Sequence, residues 1–197
     1  MAKSNAITYG VTQRFIGKVV DGPEKIRYHE YAYWKVSQVY DLNEAGRQLS
    51  SPGDTRRPFG PITSDLKVRS LKYVNADNIT TFDPNQGRFL SSYSVAGITD
   101  PRGDRLYFEH LWQEGVQNQI NGTIRVRTWP FLDVIYGNRL SLTDNQSLET
   151  TYGLGYRHQC WAIDLFYTEK PAVAGAPAEN KIWFSFTLTG VASTGQR

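Results

Sequence analysis

With 197 residues, 40% of them apolar, a net charge of +3 and a mean hydropathy of −0.48, the chain suits one domain or a piece of a larger one. No apolar run approaches the ~18–20 residues of a membrane-crossing helix, which excludes a helical membrane protein but not a transmembrane barrel, whose strands average two faces. Lysine and arginine are scattered, which gives little support to nucleic-acid binding, and a lone cysteine, Cys160, excludes an internal disulfide framework.

Helical periodicity is missing, and period-two alternation recurs from end to end. Ile7, Tyr9 and Val11 open the first strand, and "DGPEK" (Asp21–Lys25) predicts a turn. Ala32, Trp34, Val36 and Tyr40 form one face of the second strand, opposite Tyr33, Lys35 and Ser37. A long polar loop follows over Asn43–Pro61. Ile62, Leu66 and Val68 then alternate with Thr63, Asp65, Lys67 and Arg69. The pattern is faintest near Val74–Phe82, before the "DPNQG" turn (Asp83–Gly87). Tyr93 and Val95 alternate with Ser92, Ser94 and Ala96, "DPRGD" (Asp100–Asp104) turns, and Leu106, Phe108 and Trp112 mark the next strand. Ile124 and Val126 alternate with Arg125 and Arg127, and "WPF" (Trp129–Phe131) makes a corner. Tyr136, Leu140 and Leu142 alternate with Ile135, Gly137, Arg139 and Ser141, and "TDNQ" (Thr143–Gln146) turns into "TYGLGYRHQCWAIDLFYTE". There, Thr151–Tyr156 and a strand beginning at Cys160 flank a short turn at Arg157–Gln159. After the loop Lys170–Lys181, the last strand sends Ile182, Phe184, Phe186 and Leu188 one way and Trp183, Ser185 and Thr187 the other.

This predicts an all-β, antiparallel, up-and-down sheet of roughly eleven strands of about ten residues, longer than the ~5–6 typical of soluble sheets and enough to cross a bilayer at a tilt. Short turns and long loops fall on opposite sides, which is the layout of an outer-membrane barrel. Trp34, Phe108, Trp112, Tyr152, Trp161, Phe184 and Phe186 are expected to face lipid; Lys67, Arg69, Arg125, Arg127, Arg139 and Asp164 are expected to line a hydrated lumen. In a soluble sandwich the same charged face would be the wet outside, so a small stand-alone β-barrel or sandwich binding a sugar or apolar ligand stays open, as does a generic porin.

The stretches "YGLGYRHQCWAIDLFYTE" and "IWFSFTLTGV" resemble the end of the LptD family of lipopolysaccharide-assembly proteins of Gram-negative outer membranes. "ITYGVTQRFIG", "KVSQVYDL", "PFGPITSDL" and "FDPNQGRF" follow the order of that family's barrel. The resemblance covers nearly the whole chain and implies that residues 1–197 are the C-terminal part of an outer-membrane barrel without its periplasmic domain. An odd strand count agrees with a fragment, as does a start, "MAKSNAITYG", with no visible signal peptide and on its face cytoplasmic. The implied function is lipopolysaccharide transport, with no catalysis and no cofactor. The implied partners are a lipoprotein plug, LptE, lipopolysaccharide itself and the periplasmic bridge proteins. The implied gate strand is Ile182, Trp183, Phe184, Ser185, Phe186, Thr187 and Leu188.

Composition alone makes Cys160 an inert thiol; with the resemblance, it becomes one half of a disulfide to a cysteine outside this chain, although Gln159 stands where some relatives carry a second cysteine. His29, His110 and His158 are too dispersed to be metal ligands, and no nucleophile elbow is visible. Gly153 and Gly155 read as close backbone approach or a bend within a strand. The arginines of the charged face read as a lumen lining, with contact to anionic lipopolysaccharide groups as a second role.

Overall fold

The computed structural model describes residues 5–20, 26–70, 73–172 and 176–188. They form one eleven-stranded sheet in sequence order: β1 (Ala6–Val20), β2 (Ile26–Asp41), β3 (Phe59–Arg69), β4 (Val74–Asp83), β5 (Arg88–Thr99), β6 (Arg105–Gln113), β7 (Gln117–Trp129), β8 (Leu132–Ser141), β9 (Gln146–Arg157), β10 (Trp161–Lys170) and β11 (Glu179–Leu188). Each pair with a described register is antiparallel. The order is linear, with β1 and β11 as its end strands. The one helix among the described residues is α1 (Leu42–Ala45), which alternation does not reveal because a single turn has no period.

Eleven strands match the expected count, while the lengths run from 9 residues in β6 to 16 in β2. The predicted turn Asp21–Lys25 lies outside the described residues. β3 already begins at Phe59, so Pro61 belongs to a strand, and the second long connection shortens to residues 171–178. Both long connections follow even-numbered strands.

Turn residues close the hairpins by satisfying backbone donors. Asp83 accepts from Asn85 N at 2.8 Å, and Asp100 accepts from Asp104 N at 2.8 Å. Asn145 takes a left-handed φ of 52° in the β8–β9 turn, a conformation asparagine tolerates better than most residues.

The chain divides into two compact units, one of residues 1–95 and 111–117 and one of residues 96–110 and 118–197. In the first, β2 and β3 share a face of Trp34 and Leu66 on one side and Tyr33, Lys67, Lys35 and Asp65 on the other. The long β2–β3 loop holds its form with polar contacts. Asp41 caps α1 through Asn43 N and Glu44 N. Arg47 grips Asp54 at 2.7 and 2.9 Å and reaches Glu44 at 2.9 Å. Ser50 donates to Asp54 from its backbone and its hydroxyl, and Arg57 N donates to Glu44.

The Arg47 hydrogen bonds hold the Asp54 carboxyl well below the usual carboxylate range, and Glu44 is lowered by the same arginine. A carboxylate whose folded pKa is depressed lends order above its unfolded pKa of ~3.9 and loses it as pH falls through the folded value. Amide exchange across residues 46–58 should therefore stay protected at pH 5 and open only below about pH 3.9. An Asp54→Asn chain should expose the same amides already at pH 7; unchanged protection there would show that Arg47 does not order the loop.

Candidate functional site

The register of the second unit sorts side chains into two faces. Arg125 lies opposite Ile135, which pairs Gly153; Gly153 pairs Phe166, and Phe166 pairs Trp183. One step along, Arg127, Asp133, Gly155, Asp164 and Ser185 form the next row of the same face. The opposite face carries Val134, Leu154, Leu165 and Phe184 in one row and Tyr136, Tyr152, Tyr167 and Ile182 in the next. Trp161, Ile163 and Phe186 join it.

The charged face is knitted together by ion pairs. Arg157 reaches Asp164 at 2.8 Å and Asp133 at 3.3 Å. Arg125 reaches Asp164 at 3.2 Å and Asp133 at 3.6 Å, and Arg127 approaches Asp133 at 3.6 Å. The Asp133 side chain is only 4% exposed. A carboxylate so withdrawn from water needs these guanidiniums around it. Gly155 makes the room: a Cβ there would stand 2.6 Å from the Asp164 carboxylate. At Gly153 it would stand 2.8 Å from the Phe166 ring, which stacks on Trp183 with centroids 4.0 Å apart. The expected close approach at Gly153 and Gly155 is thus made by side chains of β10.

The apolar face has no protein cover within its unit. Ile182 is 73% exposed and Phe184 74%. Leu154, Leu165, Tyr152 and Phe186 are about half exposed. Among the described residues only Ile135 and Ala162 are buried apolar residues, and both lie on the charged face. The exposed apolar side chains of β8–β11 are neighbours in the strand register and form one contiguous apolar patch, the kind of surface that marks a membrane or partner contact.

Phe108 alternates with Glu109, which accepts from Asn121 of the charged face, so Phe108 leaves β6 on the apolar side, while Trp112 belongs to the first unit. Arg139 pairs Glu149 at 3.2 Å, apart from the central cluster. Lys67 and Arg69 belong to the first unit. There Lys67 lies 3.7 Å from Asp65 and over the Tyr33 ring, and Arg69 holds Asp77 at 2.6 Å. The face of Trp34 in that unit carries a polar seam that alternation does not suggest. Trp34 Nε1 donates to Ser64, Thr80 donates to Asn78, and Asn78 donates to Ser94. β4 has polar residues on both faces, which is why its pattern is faint.

Cys160 is a correction to the strand reading: it is an exposed, free thiol in the turn, and β10 begins at Trp161. The gate strand expected over Ile182–Leu188 lies within β11, paired to β10 without a break from Trp161↔Leu188 to Lys170↔Glu179. The three residues that sequence reasoning passed over at the cluster are Arg105, Asp133 and Arg157. Asp133 continues the Ile135–Gly137–Arg139 alternation by one step, and Arg157, read as a turn residue, ends β9. Among the described residues no group of three or more His, Cys, Asp or Glu is placed to hold a metal.

No protein-family model and no curated protein matches the chain at a significant level.

Replacing Asp133 by alanine should cost about 2–3 kcal/mol, below the ~3–5 kcal/mol of a fully buried broken pair because Arg127 and Arg157 can rehydrate. Replacing Arg139, whose pair with Glu149 is largely solvated, should cost under ~1 kcal/mol. Denaturant midpoints of the two variants in detergent micelles decide it; equal losses would remove Asp133 from the centre of the network. The Cys160 thiol should react with a polar maleimide in the native chain within the time taken by an unfolded control, and a protected thiol would place it inside the fold.

Proposed function

We propose that the chain is barrel wall of an outer-membrane lipopolysaccharide transporter, its apolar face against lipid and its charged face against water. One observation supports the membrane part: in the second unit the apolar side chains of β8–β11 share one face and stand uncovered, while ion pairs and glycines fill the opposite face. A soluble sheet would bury its apolar face under a second layer. Lipid is the solvent that removes the cost of leaving it open, and strands of about ten residues span the hydrocarbon at a tilt. Edge backbone groups cannot be left unpaired in that medium, so β1 and β11 need partner strands, from each other or from further chain.

The transport part rests on the resemblance of "QCWAIDLFYTE" and of the ordered upstream segments to the LptD family. In that reading lipopolysaccharide passes from the periplasmic bridge proteins into a barrel that encloses the lipoprotein LptE. It leaves laterally beside β11, its sugars in water and its acyl chains in lipid. The chemistry is displacement and not bond making. Cys160, exposed beside the β9–β10 turn, is available for a disulfide to a cysteine outside this chain.

Charge placed on either face of β11 tests the membrane part. Phe186→Lys should abolish insertion, at a cost of roughly 2–4 kcal/mol near the bilayer midplane, whereas Thr187→Lys on the wet face should insert normally. Equal recovery of the two variants in the membrane fraction, or a full-length chain that is monomeric and folded without detergent, would favour a soluble ligand-binding barrel or sandwich. Ohmic conductance of a chain reconstituted in liposomes would favour a porin.

A further inference from the structure

The charged face of the second unit holds more guanidinium than its own carboxylates can saturate. Arg105, Arg125, Arg127 and Arg157, with Gly103 and Asp133, line a cleft of about 230 Å³. Asp133 and Asp164 are taken up chiefly by Arg125 and Arg157. Arg127 comes no nearer to Asp133 than 3.6 Å, from Nε, and no hydrogen bond joins the two side chains. Its two Nη atoms lie over Gly103, where a Cβ would stand 3.2–3.3 Å from them, so a side chain at that φ of +96° would crowd the guanidinium. Arg105 has no ion-pair partner among the described residues. The other nearby carboxylates, Asp100 and Asp104, are engaged with Arg102 at 3.1 and 2.9 Å, and Asp104 also accepts the Arg127 backbone N–H. Four guanidiniums therefore face two carboxylates, and the open ends of Arg105 and Arg127 point to an anion from outside the chain.

We infer that this cleft binds a phosphate monoester. Guanidinium forks converging from β6, β7 and β9 match a dianion with three strong acceptor oxygens, where a carboxylate would satisfy a single fork. The cleft is smaller than the ~300–1,000 Å³ of sites that enclose a whole drug-sized ligand, so it suits one anionic group of a larger molecule. Two sources offer that group: a soluble sugar phosphate and a phosphorylated lipid headgroup. For the transport reading this names the part of the cargo that meets the wall. It needs only the charged face, so it survives if the opposite face proves not to meet lipid.

The test is calorimetric titration of the full chain in detergent micelles at low salt with glucose 1-phosphate, and with glucose as the uncharged control. Glucose 1-phosphate should bind saturably and glucose should not. The Arg105→Ala/Arg127→Ala double variant should weaken binding at least about tenfold, since it removes two of the four guanidiniums while Arg125 and Arg157, which approach Asp133 and Asp164 as closely or more closely, stay in place. An unchanged far-UV spectrum shows that it is folded. Arg139→Ala, on the same face but outside the cleft, should stay within about twofold. Doping the micelles with phosphatidic acid, against phosphatidylcholine, separates the sources: competition with glucose 1-phosphate assigns the lipid headgroup, and its absence assigns the soluble ester. Binding no stronger than that of glucose overturns the inference. So does binding indifferent to the double variant, or weakened equally by Arg139→Ala.

Discussion

Hydrogen bonding between neighbouring strands holds this protein together, and the same ladder sends side chains out in two opposite directions. No strand can hide one face by rotating, because its neighbours fix its register. In the second unit that constraint leaves Tyr152, Leu165, Phe184 and Phe186 on a side where no other part of the unit covers them. The hydrophobic effect, which folds a soluble domain by closing its core, leaves this face without cover inside the unit, and contact with lipid is the cover proposed for it.

The charged face does the packing that an apolar core does elsewhere. Gly155 lets the Asp164 carboxylate lie against the backbone of β9, and Gly153 lets Phe166 lie down and stack on Trp183. Asp133 draws Arg125, Arg127 and Arg157 toward one point from β7 and β9. These contacts also fix register. A slip of one residue in β10 would put Asp164 among the tyrosines of the apolar face and Leu165 among the arginines. Polar networks of this kind specify an arrangement more than they add stability, since each ion is already costly to withdraw from water.

Much of this was legible in the chain itself. Period-two alternation gave eleven strands, and in β7–β11 it sorted the residues from Arg125 to Phe186 onto the same two faces as the strand register, because a half-exposed strand writes its environment at every second position. It faltered at β4, where Asn78 and Thr80 face one way and Asp77 the other, so neither face reads as apolar. It gave no sign of α1, or of the Arg47–Asp54 grip that orders the loop after it. The Arg–Asp cluster was half visible. Arg125, Arg127 and Asp164 stood out on one face, but Arg125 meets Asp164 across 39 positions and Arg157 meets Asp133 across 24, and pairing of that range leaves no local period. Membrane placement, lipopolysaccharide and LptE rest on resemblance and on the uncovered face together.

The central claim is that the two faces of β10 and β11 meet different solvents. Spin labels placed singly at positions 163–166 and 182–187 of the chain in a lipid bilayer, with collision rates to oxygen and to a polar nickel complex, read this directly. The expected result is a period of two in opposite phase, with oxygen favoured at Ile163, Leu165, Ile182, Phe184 and Phe186 and nickel favoured at Asp164, Ser185 and Thr187. Equal nickel access on both faces, or no alternation at all, would mean that the apolar face does not meet lipid.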